Sequence, residues 1–335
     1  MLRTSRELIG ETIAQIESFQ NGLISPISTG IPHLDYHLLG GFTPSTVLGI
    51  CGLSGDGKTY LLEQINNNIL NNHGEEIVLL QCLWELELFK IVVRDLAKST
   101  KRSVREVLFQ MPESSLKDKY MQVFERYRGD NMYFQTEPVD STVFADDIEE
   151  LIARYPHKKI VITIDNLENI LVTAETQKLA MDKLITTINK LKKKHPFIVF
   201  IILNQLNREM AERVGDPKNH FPREGDIYGS SALFKLCDVL VVKHLPYKRG
   251  LEKYGVFSAE RYKYIDGVYK HLTGGRTGSF HAIGNVFYHY LKSRNIEETY
   301  DKMDVFCESL FSAPTTKNYK QDAEIEAEEE KSFFY

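Results

Sequence analysis

Apolar residues near the start of the chain recur at helical spacing. Leu8, Ile9, Ile13, Ile16 and Phe19 fall along one stripe of TSRELIGETIAQIESF, and a stripe of that period predicts an amphipathic helix. Thr4 with Glu7 three residues on has the spacing of a capping box, in which each residue covers a free N–H of the first turn. Gly22, Pro26, Gly30 and Pro32 follow as a breaker-rich linker. The helix is therefore expected to pack somewhere other than on its own domain.

Beyond the linker the pattern changes to continuous apolar runs: STVLGICG, EEIVLLQCL, KKIVITIDNL, FIVFIILNQL and CDVLVVKH, separated by helical stretches. A strand that is apolar on both faces must be covered on both, so the runs predict a mainly parallel central sheet flanked by helices, an α/β fold. Between the third and fourth runs Ala180, Leu184, Ile188 and Leu191 mark a helix that ends in KLKKKHP. Those lysines suit the negative end of the helix dipole, and the run is read as a helix terminus rather than a DNA patch.

Composition narrows the setting. The chain has 335 residues, 42% of them hydrophobic, enough for a sizeable core. Cys51, Cys82, Cys237 and Cys307 show no CxxC spacing, and neither a signal peptide nor an apolar run of membrane-spanning length is present. A reducing, cytoplasmic setting without a membrane partner is expected. Net charge is −5, but the last fifteen residues, QDAEIEAEEEKSFFY, hold six acids and one lysine, so the body is balanced and its charge argues neither for nor against nucleic acid. The segment 313–335 reads as a disordered acidic tail. A sharper reading makes SFFY a docking peptide, or the tail a mimic of nucleic acid.

The chemistry is concentrated in GLSGDGKT, which fits G-x-x-x-x-G-K-[ST] with Gly52, Gly57, Lys58 and Thr59 in the fixed positions. Glycines let the backbone curl until its N–H groups point inward, and the helix beginning near Lys58 adds its positive end. Ser54, Gly55, Asp56 and Tyr60 complete the candidate ATP cradle. Lys58 would reach the β- and γ-phosphates, and the Thr59 hydroxyl would hold Mg²⁺.

Asp165 closes the run KIVITID, where a carboxylate at a strand's carboxyl end holds the Mg²⁺ shell. Glu85 sits just beyond the second run and could take the proton of an attacking water, the alternative being that Glu85 or Glu87 simply opens the next helix. Gln205 ends the fourth run, where a side chain could feel the γ-phosphate on one side and a loop on the other.

These motifs in this order resemble the C-terminal motor domain of DnaB-like replicative helicases, a hexameric branch of the RecA-like ATPases. The likeness runs from the first helix to about residue 290. ISTGIPHLDYHLLGGFTPSTVLGICGLSGDGKT is similar to the family's lead into the phosphate loop. Glu85 falls on its catalytic glutamate, Asp165 on its Mg²⁺ aspartate, and LNQLNR on its sensor-glutamine motif. DIYGSSALFKLCDVLVV is similar to the segment that shapes the central DNA loops, in its phage primase-helicase form.

The resemblance implies a linker helix at 1–21 docking on a neighbouring subunit and a RecA-like motor domain at 22–312. It also implies ATP with Mg²⁺ and a homohexamer around single-stranded DNA moving 5′ to 3′; the collar or primase domain usual in the family is expected to be absent here. A primase or other replisome partner is expected, with the acidic tail as the candidate contact; a phage-encoded chain would work in its host's cytoplasm. DNA contacts are expected from Arg208, Arg213, Lys218 and Arg223 in NREMAERVGDPKNHFPREGD.

Two departures stand out. Tyr228 replaces an arginine of the DNA-loop segment, and KHLTGGRTG keeps Lys270 but has Leu272 where the family's arginine finger falls. Arg276, four residues on, is the candidate substitute. Two rivals remain open at this point. One is a RecA- or RadA-like recombination ATPase that forms filaments; the other is an ATP-gated adaptor without motor activity, which Leu272 favours.

Overall fold

The computed structural model of the chain describes residues 4–173, 176–216, 219–229, 231–257, 260–265, 268–273, 278–281, 285–294 and 302–307. Its first element is the expected helix, α1 (Ser5–Gln20), with both halves of the capping box formed between Thr4 and Glu7. None of its residues is buried, and Leu8, Ile9, Ile13 and Ile16 lie exposed along the predicted stripe.

A short helix α2 (Pro32–His37) leads to β1 (Val47–Gly52), α3 (Lys58–His73) and β2 (Ile77–Leu83). Three helices, α4 (Leu88–Thr100), α5 (Val104–Phe109) and α6 (Lys117–Tyr127), precede β3 (Met132–Gln135). Then come α7 (Ser141–Arg154), β4 (Lys159–Asp165), α8 (Gln177–Lys194), β5 (Ile198–Gln205), α9 (Arg208–Arg213), α10 (Ser231–Leu236) and β6 (Val239–His244). The remaining strands are β7 (Lys253–Phe257), β8 (Glu260–Ile265), β9 (Val268–Thr273), β10 (Gly278–His281), β11 (Asn285–Ser293) and β12 (Lys302–Cys307).

Eight strands form one sheet in the order β12-β11-β6-β1-β5-β4-β2-β3. It is parallel from β6 to β3, and β11 and β12 extend it antiparallel. All five apolar runs are strands of its parallel part. Their continuous hydrophobicity follows from burial on both faces. Along β5, Ile198, Phe200 and Ile202 face a core formed with α7 and α8, whereas Val199, Ile201 and Leu203 face one formed with α2 and α3.

The α8 stripe is buried as expected, and its terminal lysines make structural ion pairs, Lys192 with Asp238 at 3.3 Å and Lys194 with Glu149 at 2.7 Å. The apolar-run pattern did not reveal β3, a four-residue edge strand that is only partly buried, or the antiparallel extension. The acidic tail, 313–335, lies outside the described residues.

Candidate nucleotide site

Parallel strands end on the same side of a sheet, so each carboxyl-terminal loop opens on one edge. Register brings the candidate residues together there. Gly52 of β1 lies opposite Gln205 of β5, and Asp165 of β4 lies opposite Leu83 of β2, two residues before Glu85.

The phosphate loop spans the gap between β1 and α3. Gly57 has φ +78°, which an L side chain rarely tolerates, and a Cβ on Gly52 would stand 2.6 Å from the Lys243 carbonyl oxygen. Ser54 and Gly55 are exposed at its tip, while Asp56 is fully buried. The Lys58 Nζ, almost buried, donates to the carbonyls of Gly52 at 3.0 Å and Leu53 at 3.2 Å. Burial pushes its pKa below the ordinary lysine value, and the carboxylates of Asp56, Asp165 and Glu85 pull it back up. Half-buried Tyr60 faces the ammonium groups of Lys98 at 4.6 Å and Lys243 at 5.4 Å from its ring centre.

Asp165 is buried and hydrogen-bonded by the Thr59 hydroxyl. Burial raises its pKa to about 6 against that bond, and the nearby Glu85 charge pushes the same way. The pair offers the hard oxygen donors that Mg²⁺ takes, and the Oδ1 of Asn166 beside it is buried with no hydrogen-bond partner among the described residues. Those residues fit the ion. Glu85 is exposed in the turn after β2, and it is Glu87 that occupies the N-cap of α4 and pairs with Lys90.

At the end of β5, Gln205 is half-buried. Its carbonyl accepts from the Tyr228 N–H at 2.9 Å, and Leu206 N–H donates to the Gly52 carbonyl at 3.2 Å. The strand end thus touches the phosphate loop on one side and the segment after α9 on the other.

Of the expected DNA-contact residues, Arg208 and Arg223 are exposed. The Arg213 guanidinium instead closes its own loop: it donates to both carboxylate oxygens of Asp226 and to the carbonyls of Asn219 and Phe221. A charge bonded in that way holds the loop's shape and offers little to a phosphate. Lys218 and Arg276 lie outside the described residues. Lys270 stands on β9, opposite Lys263 in an antiparallel pair with β8.

Residues 26–276 match the family described as "DnaB-like helicase C terminal domain". The chain belongs to this family.

The match begins after α1, later than the resemblance reaches. A search of curated protein sequences finds no match. The structure described as "ATPase Domain of G40P" is similar at 13% identity, TM-score 0.69, over 92% of this chain and 96% of that one. "The Structure Of A DnaB-Like Replicative Helicase And Its Interactions With Primase" is similar at 14% identity, TM-score 0.68, over 93% of this chain and 66% of that one. At such identities these likenesses concern the fold, and the fold is that of the RecA-like motor domain of DnaB-like helicases.

In this DnaB-like domain the structure adds groups that motif reading missed. Near the end of β6, Lys243 donates to the Gly57 carbonyl at 3.3 Å, and just past the strand Lys248 donates to Gly55 at 2.6 Å and Arg249 to Ser54 at 2.8 Å. Asp56 is bonded by His244 Nδ1 at 2.9 Å and Arg249 at 3.3 Å. The sequence signal is KHLPYKR, a basic cluster directly after an apolar strand. Burial pushes the carboxyl pKa of Glu63, one turn along α3 from Thr59, up to about 7, with Arg94 opposing and Asp95 and Asp165 adding to the shift.

Proposed function

We propose that this chain is the ATP-hydrolysing motor of a replicative DNA helicase, working in the cytoplasm as a ring of six copies that encircles single-stranded DNA and moves 5′ to 3′. The observation that carries the reading is the convergence of Lys58, Thr59, Asp165 and Glu85 on one sheet edge, with Gln205 in register beside Gly52.

The phosphates of ATP would enter the loop, and Lys58 would exchange its two carbonyl partners for phosphate oxygens. Mg²⁺ held by Thr59 and Asp165 would neutralise phosphate charge. Glu85, exposed and unencumbered by the α4 cap, takes the proton of the attacking water. Gln205 passes the nucleotide state to the Tyr228 segment through the backbone bonds just described.

Support for the ring comes from the exposed apolar stripe of α1, which suits docking on a neighbouring copy. Lys270 and Arg276 are the proposed groups reaching across to that neighbour's γ-phosphate. Arg208 and Arg223 are the proposed DNA phosphate contacts, with Lys218 alongside. The acidic tail is proposed to bind a primase or another replisome protein.

Unwinding of forked duplexes with a 5′ or a 3′ single-stranded arm, with and without ATP, tests the motor. ATP-dependent unwinding only from the 5′ arm is the expected result. A specific observation favours the second reading, an ATP-gated adaptor: Leu272 stands in the finger position. Tight ATP binding with no DNA-stimulated turnover would select it.

Charge at the DNA loop gives a separate check. Replacing Arg208 or Arg223 by alanine is expected to weaken binding to all single-stranded sequences alike. Each should lower the slope of log affinity against log salt by about 0.7, the value of one released counterion. Binding titrations across a salt series measure it, and an unchanged slope would remove that residue from the interface.

A further inference from the structure

We propose that Tyr254 on β7 is a positioning residue that links the phosphate loop to the segment 219–226 through His244 on one side and His220 on the other, a connection separate from Gln205. The inference rests on the nucleotide-binding part of the reading above and not on the DNA part.

The linkage begins at Asp56. This carboxylate is fully buried under the phosphate loop, and His244 and Arg249 hold it. A triphosphate entering the loop brings negative charge beside it and draws Lys58 away from Gly52 and Leu53, so Asp56 must adjust against its partners. His244 is completely buried, and its ring meets the Tyr254 ring edge-on, with centroids 5.2 Å apart.

Tyr254 is 1% exposed and cannot turn aside without disturbing its neighbours. Its ring stacks on His220 at 4.4 Å and 27°. Its hydroxyl donates to the His220 carbonyl at 3.3 Å and lies 3.0 Å from His289 Nε2, from which it can accept. Burial lowers the pKa of His220 to about 4 and that of His289 far below its ordinary value. Both imidazoles are therefore neutral near pH 7, and the Tyr254 contacts with them join uncharged groups.

On the far side, His220 belongs to a segment that hydrogen bonds tie together. Arg213 ties Asn219, Phe221 and Asp226 to α9, and Phe221 also meets the Tyr254 ring at 5.7 Å. The same segment carries exposed Arg223. A displacement at His220 would thus be delivered to the whole turn rather than absorbed by one side chain.

Amide hydrogen exchange read by mass spectrometry, with and without a nonhydrolysable ATP analogue, tests the link in the full chain and in Tyr254→Phe. Phenylalanine keeps the ring and removes the hydroxyl bonds. In the wild type the analogue is expected to slow exchange at both 52–59 and 219–226; in the variant, protection at 52–59 stays and protection at 219–226 is lost. A purely structural role would lower both together. Equal protection of 219–226 in the variant, or no response there in the wild type, overturns the proposal, as does the absence of any protection at 52–59.

Should Tyr254→Phe fail to fold, His220→Asn removes the stacked ring on the loop side and carries the same expectation. Fork unwinding by the wild type reports on the motor independently: intact exchange coupling without unwinding sinks the motor alone, and unwinding without exchange coupling sinks only this link.

Discussion

Lys58→Ala is expected to reduce ATP turnover by at least about 10³-fold, the scale on which a positioned donor to transition-state phosphate charge acts. The Lys58 ammonium bonds the carbonyls of Gly52 and Leu53 at the start of the phosphate loop. Lys243, Lys248 and Arg249 bond to the loop's other carbonyls, those of Gly57, Gly55 and Ser54. Phosphate release measures the rate, and thermal shift with the ATP analogue measures binding. The wild type should be stabilised by the analogue in proportion to ligand excess, and the variant should not. Glu85→Gln separates the roles, because it should keep the thermal shift and lose the turnover. If Lys58→Ala retains more than a tenth of the wild-type rate, the phosphate-loop assignment is wrong.

Asp165→Asn is expected to do the opposite to stability and to function. The folded-state pKa of Asp165 is raised from 3.8 to about 6, with burial as the main cause. Below pH 3.8 the carboxyl is protonated in both states and costs nothing. As pH rises from there towards 6 the unfolded chain ionises first, so stability falls, and above 6 the full penalty remains, about 3 kcal/mol.

Asparagine removes the charge and can still accept from Thr59. Without nucleotide the variant should therefore be more stable than the wild type at pH 7, by up to that amount, and should lose this fall between pH 4 and 6. It should also lose Mg²⁺-dependent hydrolysis. Denaturant melts at several pH values measure the first effect, and a variant no more stable at pH 7 would show that the carboxylate is not strained there.

Part of the site was legible because the relevant patterns are local. The phosphate loop is eight consecutive residues, and Asp165 and Gln205 each end an apolar run that could only be a buried strand. Glu85 was separable from Glu87 only in space, since both precede α4 and the structure decides which one caps it. The arginines after β5 were legible as charges and not as contacts. Nothing in NREMAERVGDPKNHFPREGD tells that Arg213 folds back on Asp226, thirteen residues on, while Arg208 stays exposed.

The sequence by itself determined the layered α/β class, the five parallel strands, the capped first helix and the glycine-rich pattern from Gly52 to Thr59, because hydrophobic period and turn chemistry act over a few residues. Tertiary structure alone decided that β1 lies between β5 and β6, which puts Gly52 beside Gln205 and brings His244 to Asp56 across 188 residues of chain. Period tells which face of a strand is apolar; it does not tell which strand lies next to it. That choice is made by crossovers and by the packing of α3, α7 and α8 on the sheet, and from it come the clamp on Asp56 and the path through Tyr254.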